Sequence, residues 1–132
     1  DGNPSGAGVG KISGLLNRYS PTDVVIYYGS NDAIQMKQDS YENNVRAMVA
    51  LAQSTGADVI IVLPSDMYSI RANNNGRLQF VLDAARRIAQ DTGARLANVN
   101  GETRGSPELF VDGLHPNLDG QRIIMLTILE TL

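Results

Sequence analysis

The chain predicts an α/β fold in which a parallel sheet is layered between helices, and three observations predict it. Apolar runs of strand length alternate with helical patterns, and these runs are apolar on both faces, as strands covered on both sides are. No linker, internal repeat or low-complexity tract divides the 132 residues, and 42% of them are hydrophobic, enough for one domain over residues 1–132 with a sizeable core.

The polar, Gly-rich start "DGNPSGAGVGK" leads into a short helix expected over 8–19. "DVVIYYG" at 23–29 reads as the first strand, a β-branched and aromatic run bounded by turn residues. Residues 40–55 place Val45, Met48, Leu51 and Ala52 on one helical face, and "ADVIIVLP" at 57–64 reads as the second strand. Residues 76–91 align Leu78, Val81, Leu82, Ala85, Ile88 and Ala89 at spacings of three and four. Gly56 and Gly93 follow the two helical runs, where a left-handed C-terminal residue is expected. "ARLANVN" at 94–100 is a weaker third strand, and Ile123, Ile124, Leu126 and Ile128 pattern a last helix over 118–131. The order α-β-α-β-α-β-α, joined by right-handed crossovers, gives a parallel sheet with helices on both faces. Three strands make a small sheet, so at least one hydrophobic strand is expected at an open edge, and another segment or a larger domain is expected to supply more strands.

Charge and composition exclude several function classes. A net charge of -3, a pI near 5.0 and eleven scattered Lys and Arg offer no basic surface for nucleic acid or anionic membrane. Without cysteine there is neither a disulfide framework nor a thiolate metal site, and one histidine with unclustered carboxylates makes a poor metal ligand set. The longest apolar runs, Val24 to Tyr28 and Val59 to Leu63, are far short of a membrane span. The Gly-rich start is not a phosphate loop, because Ser5 and Ile12 stand where that motif needs Gly and Ser or Thr.

Two stretches carry chemistry. "YYGSNDA" puts Gly29, Ser30, Asn31 and Asp32 outside the carboxyl end of a buried parallel strand, where open α/β sheets bind ligands. All four are also turn residues, so a plain turn is the competing reading. An asparagine there can donate from its side-chain NH2 to an oxyanion. "FVDGLHPNLDG" holds the only histidine, His115, in the loop before the last helix. Asp112 can accept from one of its ring nitrogens and leave the other free as a base, while Pro116 restricts the backbone of His115 to extended conformations. A solvent-exposed loop histidine is the competing reading, and the co-occurrence of the two stretches weighs against it.

In that order, at opposite ends of an α/β domain, the two stretches resemble the SGNH hydrolases, also called the GDSL esterase and lipase family. Gly29-Ser30-Asn31-Asp32 resembles the family's third block, with Asn31 at the oxyanion-hole asparagine. Asp112-Gly113-Leu114-His115-Pro116-Asn117 resembles its fifth, with Asp112 and His115 in triad positions. The "VIIVLP" strand and the Asn73-Asn74-Asn75 loop are similar to the family's middle, and Gly2, twenty-nine residues before Asn31, best matches the oxyanion-hole glycine of the second block. The resemblance implies a three-layer α/β/α sandwich with a parallel, flavodoxin-like sheet and hydrolysis of carboxylic, acetyl or short acyl esters through an acyl-serine. It implies no cofactor, a small-molecule or saccharide ester as substrate, and a secreted or periplasmic location. It also makes Ser30, Asp32 and Asn75 expected substrate contacts.

One block has no counterpart. The family's Gly-Asp-Ser nucleophile block matches nothing here: Ser30 lies inside the oxyanion motif, Ser5 and Ser13 belong to the first helix region, and Pro64-Ser65-Asp66 lacks the nucleophile's context. The nucleophile is therefore expected outside this chain, on an N-terminal segment or a second chain supplying a strand beside Val24 to Tyr28, so that the domain reads as truncated at its N-terminus. The alternative of a different class is a catalytically inactive binding module that keeps the fold. The polar loop from Ser65 to Asn75, with Met67, Tyr68 and Ile70 as its apolar residues, is expected to line the pocket and to favour a short acyl group or sugar ester.

Overall fold

The computed structural model describes residues 2–132. They run as α1 (Ser5–Tyr19), β1 (Asp23–Ile26), α2 (Ser30–Ile34), α3 (Gln38–Ser54), β2 (Asp58–Val62), α4 (Asn75–Thr92), β3 (Arg95–Ala97), α5 (Val99–Thr103) and α6 (Leu118–Leu129), with 3₁₀ turns at Ser69–Asn74 and Pro107–Leu109. The three strands pair in parallel in the order β1-β2-β3, Val24 opposite Val59 and Ile61 opposite Leu96.

Alternation along the strands decides which helix covers which face. Ile26, Val59, Ile61 and Leu63 pack into one cluster with Ile12 and Leu16 of α1, Val45 and Met48 of α3, and Leu78, Leu82 and Ile88 of α4. Ile60, Val62, Ala97 and Val99 turn to the opposite face, where Ile124 and Ile128 of α6 cover them. The expected layering, helices on both faces of a parallel sheet, is what the chain adopts. The stripes of α3 and α4 are core as read, except for Leu51, which is half exposed, and Ala89, which is partly exposed.

The strands are shorter than the apolar runs that announce them. β1 ends at Ile26, not 29, β2 at Val62, not 64, and β3 at Ala97, not 100. Beyond β3 the chain turns into α5, whose N-terminus is capped by the Asn98 side chain accepting from the Gly101 N–H at 2.9 Å. The early strand ends matter for function, because the freed residues form the loops above the carboxyl edge of the sheet.

β1 lies at an edge of the sheet. Beside it, α1 and β1 enclose a trough of about 310 Å³ lined by Ile12, Leu15, Leu16, Tyr19, Val24 and Val25 among others. On the α6 side, Tyr27, Ile124, Met125, Ile128 and Leu129 line a second apolar hollow of about 470 Å³. Among the described residues no helix is long and apolar enough to cross a membrane.

Candidate active site

Gly29 starts the first half of the site. Its φ of +126° is one that L side chains rarely adopt, and a Cβ there would come within 2.6 Å of Val81 Cγ1 and 3.2 Å of Pro64 Cγ. That turn redirects the chain from β1 into α2, so "GSND", for which a plain turn is the competing reading, opens a five-residue helix. Ser30 and Asn31 fall on its first turn, facing a cavity of about 490 Å³.

The second half is the "DGLHPN" loop. Asp112 Oδ1 accepts the backbone N–H groups of Leu114 at 3.0 Å and His115 at 2.7 Å, and Oδ2 lies 2.7 Å from His115 Nδ1. These bonds, the His115 backbone N–H first and its ring second, hold the Asp112 carboxyl well below the usual carboxylate range. With Nδ1 engaged, Nε2 is the ring nitrogen left for a substrate or nucleophile. The ring is not sequestered, its side chain being 61% exposed.

The rest of the loop is closed on itself and on a neighbour. Val111 donates to the His115 carbonyl at 2.8 Å and Asn117 donates to the Leu109 carbonyl at 2.8 Å, while the Asn117 side chain caps α6 by accepting from Gly120 N–H. Gly113, at φ +79°, accepts from Tyr68 N–H at 2.9 Å, and a Cβ on it would strike the Tyr68 carbonyl oxygen. The Tyr68 ring packs on Phe110 at 5.4 Å, and Arg71 Nη2 stands 4.0 Å from Asp112 Oδ2.

One cavity brings the main candidates together: Gly2, Ser30, Asn31 and His115 all line it, with Asn3, Val25, Tyr27, Tyr28, Gly29 and Leu114. Asp112 stands behind His115. Tyr27 and Leu114 were missed in the sequence, although alternation from Ile26 signals that Tyr27 faces away from the α1 side, and Leu114 adjoins His115. Desolvation of its hydroxyl pushes the Tyr27 phenol up to about 12.

Two expected substrate contacts do not line this cavity. Asp32 is fully buried, its carboxylate taken up by the Ser5 N–H and hydroxyl. Asn75 closes a two-way bridge to Met67, donating to its carbonyl and accepting its N–H, each at 2.8 Å. The Ser65 to Asn75 loop also stays out of the cavity lining: Met67 is buried in the core, Tyr68 braces the histidine loop, and Ile70 is exposed to solvent away from the cavity. Ser65 is buried and accepts from the Thr103 hydroxyl at 2.7 Å. Among the described residues no serine hydroxyl bonds the His115 ring, and no three His, Cys, Asp or Glu side chains gather as metal ligands would.

Solved structures share this architecture at low sequence identity. A lipase/acylhydrolase from Enterococcus faecalis superposes with a TM-score of 0.86 at 20% identity, over 98% of this chain and 70% of its own. An α/β hydrolase enzyme, LAE5, from the metagenome of Lake Arreo gives 0.85 at 22% identity, over 99% and 68%. An acetylxylan esterase from Geobacillus stearothermophilus, solved as catalytic mutants with a histidine, the aspartate three residues before it, or a serine changed to alanine, gives 0.84 to 0.85 at 17–18% identity, over 99% and 68%. No curated protein sequence matches the chain. The family model of the GDSL-like lipases and acylhydrolases matches residues 2–123, nearly the whole fold and both motif loops, and the chain belongs to that family.

Proposed function

We propose that the chain provides the base and the oxyanion donors of a serine ester hydrolase acting on acetyl or short acyl esters, its nucleophile supplied from outside these residues. The observation that carries the reading is the meeting of His115, backed on Nδ1 by Asp112, with Asn31 and Gly2 around one cavity. His115 Nε2 takes the proton of the attacking serine hydroxyl as its oxygen bonds the ester carbonyl carbon. The carbonyl oxygen becomes an oxyanion, held by the Asn31 side-chain NH2 and the Gly2 backbone N–H. As the C–O bond to the alcohol breaks, the imidazolium returns the proton to the leaving oxygen. Water activated by the same nitrogen then releases the acid, and Asp112 stabilises the charged ring in both halves.

A serine-bearing segment, or a second chain, pairing with the outer edge of β1 is supported by the apolar hollows on both sides of that edge. The spacing of aspartate and histidine in the acetylxylan esterase supports the roles given to Asp112 and His115. For the acyl group, small polar residues and glycines make up about half of the cavity lining, which suits a short chain.

Labelling with an active-site fluorophosphonate tests the reading. Label that depends on His115, disappearing in His115→Ala, is expected once a serine-bearing segment is present, and Asn31→Ala is expected to lower turnover on the order of 10²-fold. Absence of label on a polypeptide that includes such a segment would leave a non-catalytic binding module instead. Hydrolysis rates across acyl lengths check the substrate class, and preference for long chains would overturn it.

A further inference from the structure

Asp32 follows Asn31 directly, yet its carboxylate points away from the cavity and is fully buried. Both oxygens accept the Ser5 N–H, at 3.1 and 3.0 Å, and Oδ1 accepts the Ser5 hydroxyl at 2.5 Å. Asn44 of α3 donates to the Ser5 hydroxyl oxygen at 3.0 Å. Among the described residues no Lys or Arg pairs with this carboxylate; its compensation is the Ser5 donors and the positive end of α1, whose first residue is Ser5. A second tie runs the same way: Gln35, just past α2, donates from Nε2 to the Gly2 carbonyl at 2.9 Å.

Burying an ionised group without a cation is costly, and apolar replacements of such buried polar joints are often neutral or stabilising. The place where this carboxylate sits explains what it does. One end of the joint is the helix that presents Asn31, and the other is the Gly2 to Ser5 segment, so the tie spans the two lines of chain that carry the oxyanion donors.

On the reading that Gly2 and Asn31 form an oxyanion hole, we infer that Asp32 is its positioning residue, locking the Gly2 to Ser5 segment to α2 so that both donors address one point. Catalytic donors need placement to within about half an ångström, and a misplacement of about 1 Å can cost on the order of 10²-fold. Two donors on separate segments hold that tolerance only if the segments move together. Asp32 touches no substrate; it acts through Ser5.

Binding of methylphosphonate, a tetrahedral anion, to the ¹⁵N-labelled chain tests this, followed at the Asn31 side-chain NH2 and the Gly2 N–H and measured well below each variant's melting temperature. Binding to the unaltered chain is expected to be lost in Asn31→Ala. Asp32→Ala is expected to weaken it on the order of tenfold, and Asp32→Asn, which can still accept the Ser5 N–H and donate to its hydroxyl, to weaken it less. A folded Asp32→Ala that binds as the unaltered chain does overturns the positioning role while the oxyanion hole stands. If Asp32→Ala does not fold, Ser5→Ala and Asp32→Asn decide: weaker binding in either supports the role, and unchanged binding in both overturns it. No binding to the unaltered chain, or undiminished binding to Asn31→Ala, removes the oxyanion hole and the positioning role with it.

Discussion

Asp112 holds His115 at two points: Oδ2 lies 2.7 Å from the ring Nδ1, and Oδ1 accepts the backbone N–H of the same residue at 2.7 Å. One carboxylate thus fixes both where the histidine's backbone runs and which way its ring faces. A pH dependence follows. The Asp112 carboxyl is held below its ordinary value of 3.8 in the folded chain, chiefly by the His115 N–H, so folding favours its ionised form. Its stabilising contribution is therefore complete above that ordinary value and is lost only as pH falls through the lower folded one. The ¹³Cγ resonance of Asp112 should show no carboxyl protonation step between pH 7 and pH 4, and the stability gap between the unaltered chain and Asp112→Asn should persist over that range and narrow only below it. A midpoint near the ordinary value would contradict the bonding described.

The loop that carries this pair depends on one residue without a side chain. Gly113 sits at φ +79°, and a Cβ there would run into the Tyr68 carbonyl. Gly113→Ala should cost about 1–3 kcal/mol in backbone strain alone, plus whatever displacement of the Tyr68 segment adds. Urea denaturation measures the loss, and the ¹⁵N shifts of the single histidine should show the Nδ1 contact weakened. A variant with unchanged stability and unchanged ring shifts would mean that the Tyr68 contact does not brace the loop.

What could be read in advance was whatever the local pattern controls. The α4 stripe and the continuous β2 run specify buried faces by their own periodicity, and Leu78, Leu82, Ile60 and Ile61 are all buried. Asp112 and His115 were legible for the same reason, since their contact spans three residues. Asp32 was not, because its partner lies twenty-seven residues away. That partnership also explains why α1 begins at Ser5 instead of residue 8: Pro4 offers no side-chain cap, and a carboxylate from α2 satisfies the first free N–H. The Ser65 to Asn75 loop misled by composition, since the side chains of Asn74 and Asn75 are consumed in bonds within that loop.

The core gives a prediction set by packing. Leu78 is fully buried among side chains of the cluster that joins α1, α3 and α4 to the sheet. Leu78→Ala removes its methyl groups and leaves a cavity, so a loss of about 2–5 kcal/mol is expected. Thermal or chemical denaturation measures it. A loss under about 1 kcal/mol would show that the neighbouring helices collapse into the space.

The open edge of β1 gives the last. Val25 on that strand and Tyr27 just past its end are 43% and 41% exposed, Leu15 and Tyr19 are exposed across the trough on α1, and Met125 and Leu129 are exposed on the α6 side. An edge strand flanked by apolar surface on both faces offers unpaired backbone groups and a dry bed for another strand, the combination that drives edge-to-edge association. The chain alone should bind a hydrophobic dye and self-associate as its concentration rises. Val25→Lys puts a charge on the edge, and Leu15→Glu puts one in the trough away from the cavity lined by His115; each should reduce both signals without lowering stability much. Sedimentation velocity reads the association directly. A sharp monomer at all concentrations with no dye binding would mean that the edge is protected by the chain's own loops, and the case for a strand docking there would lose its physical motive.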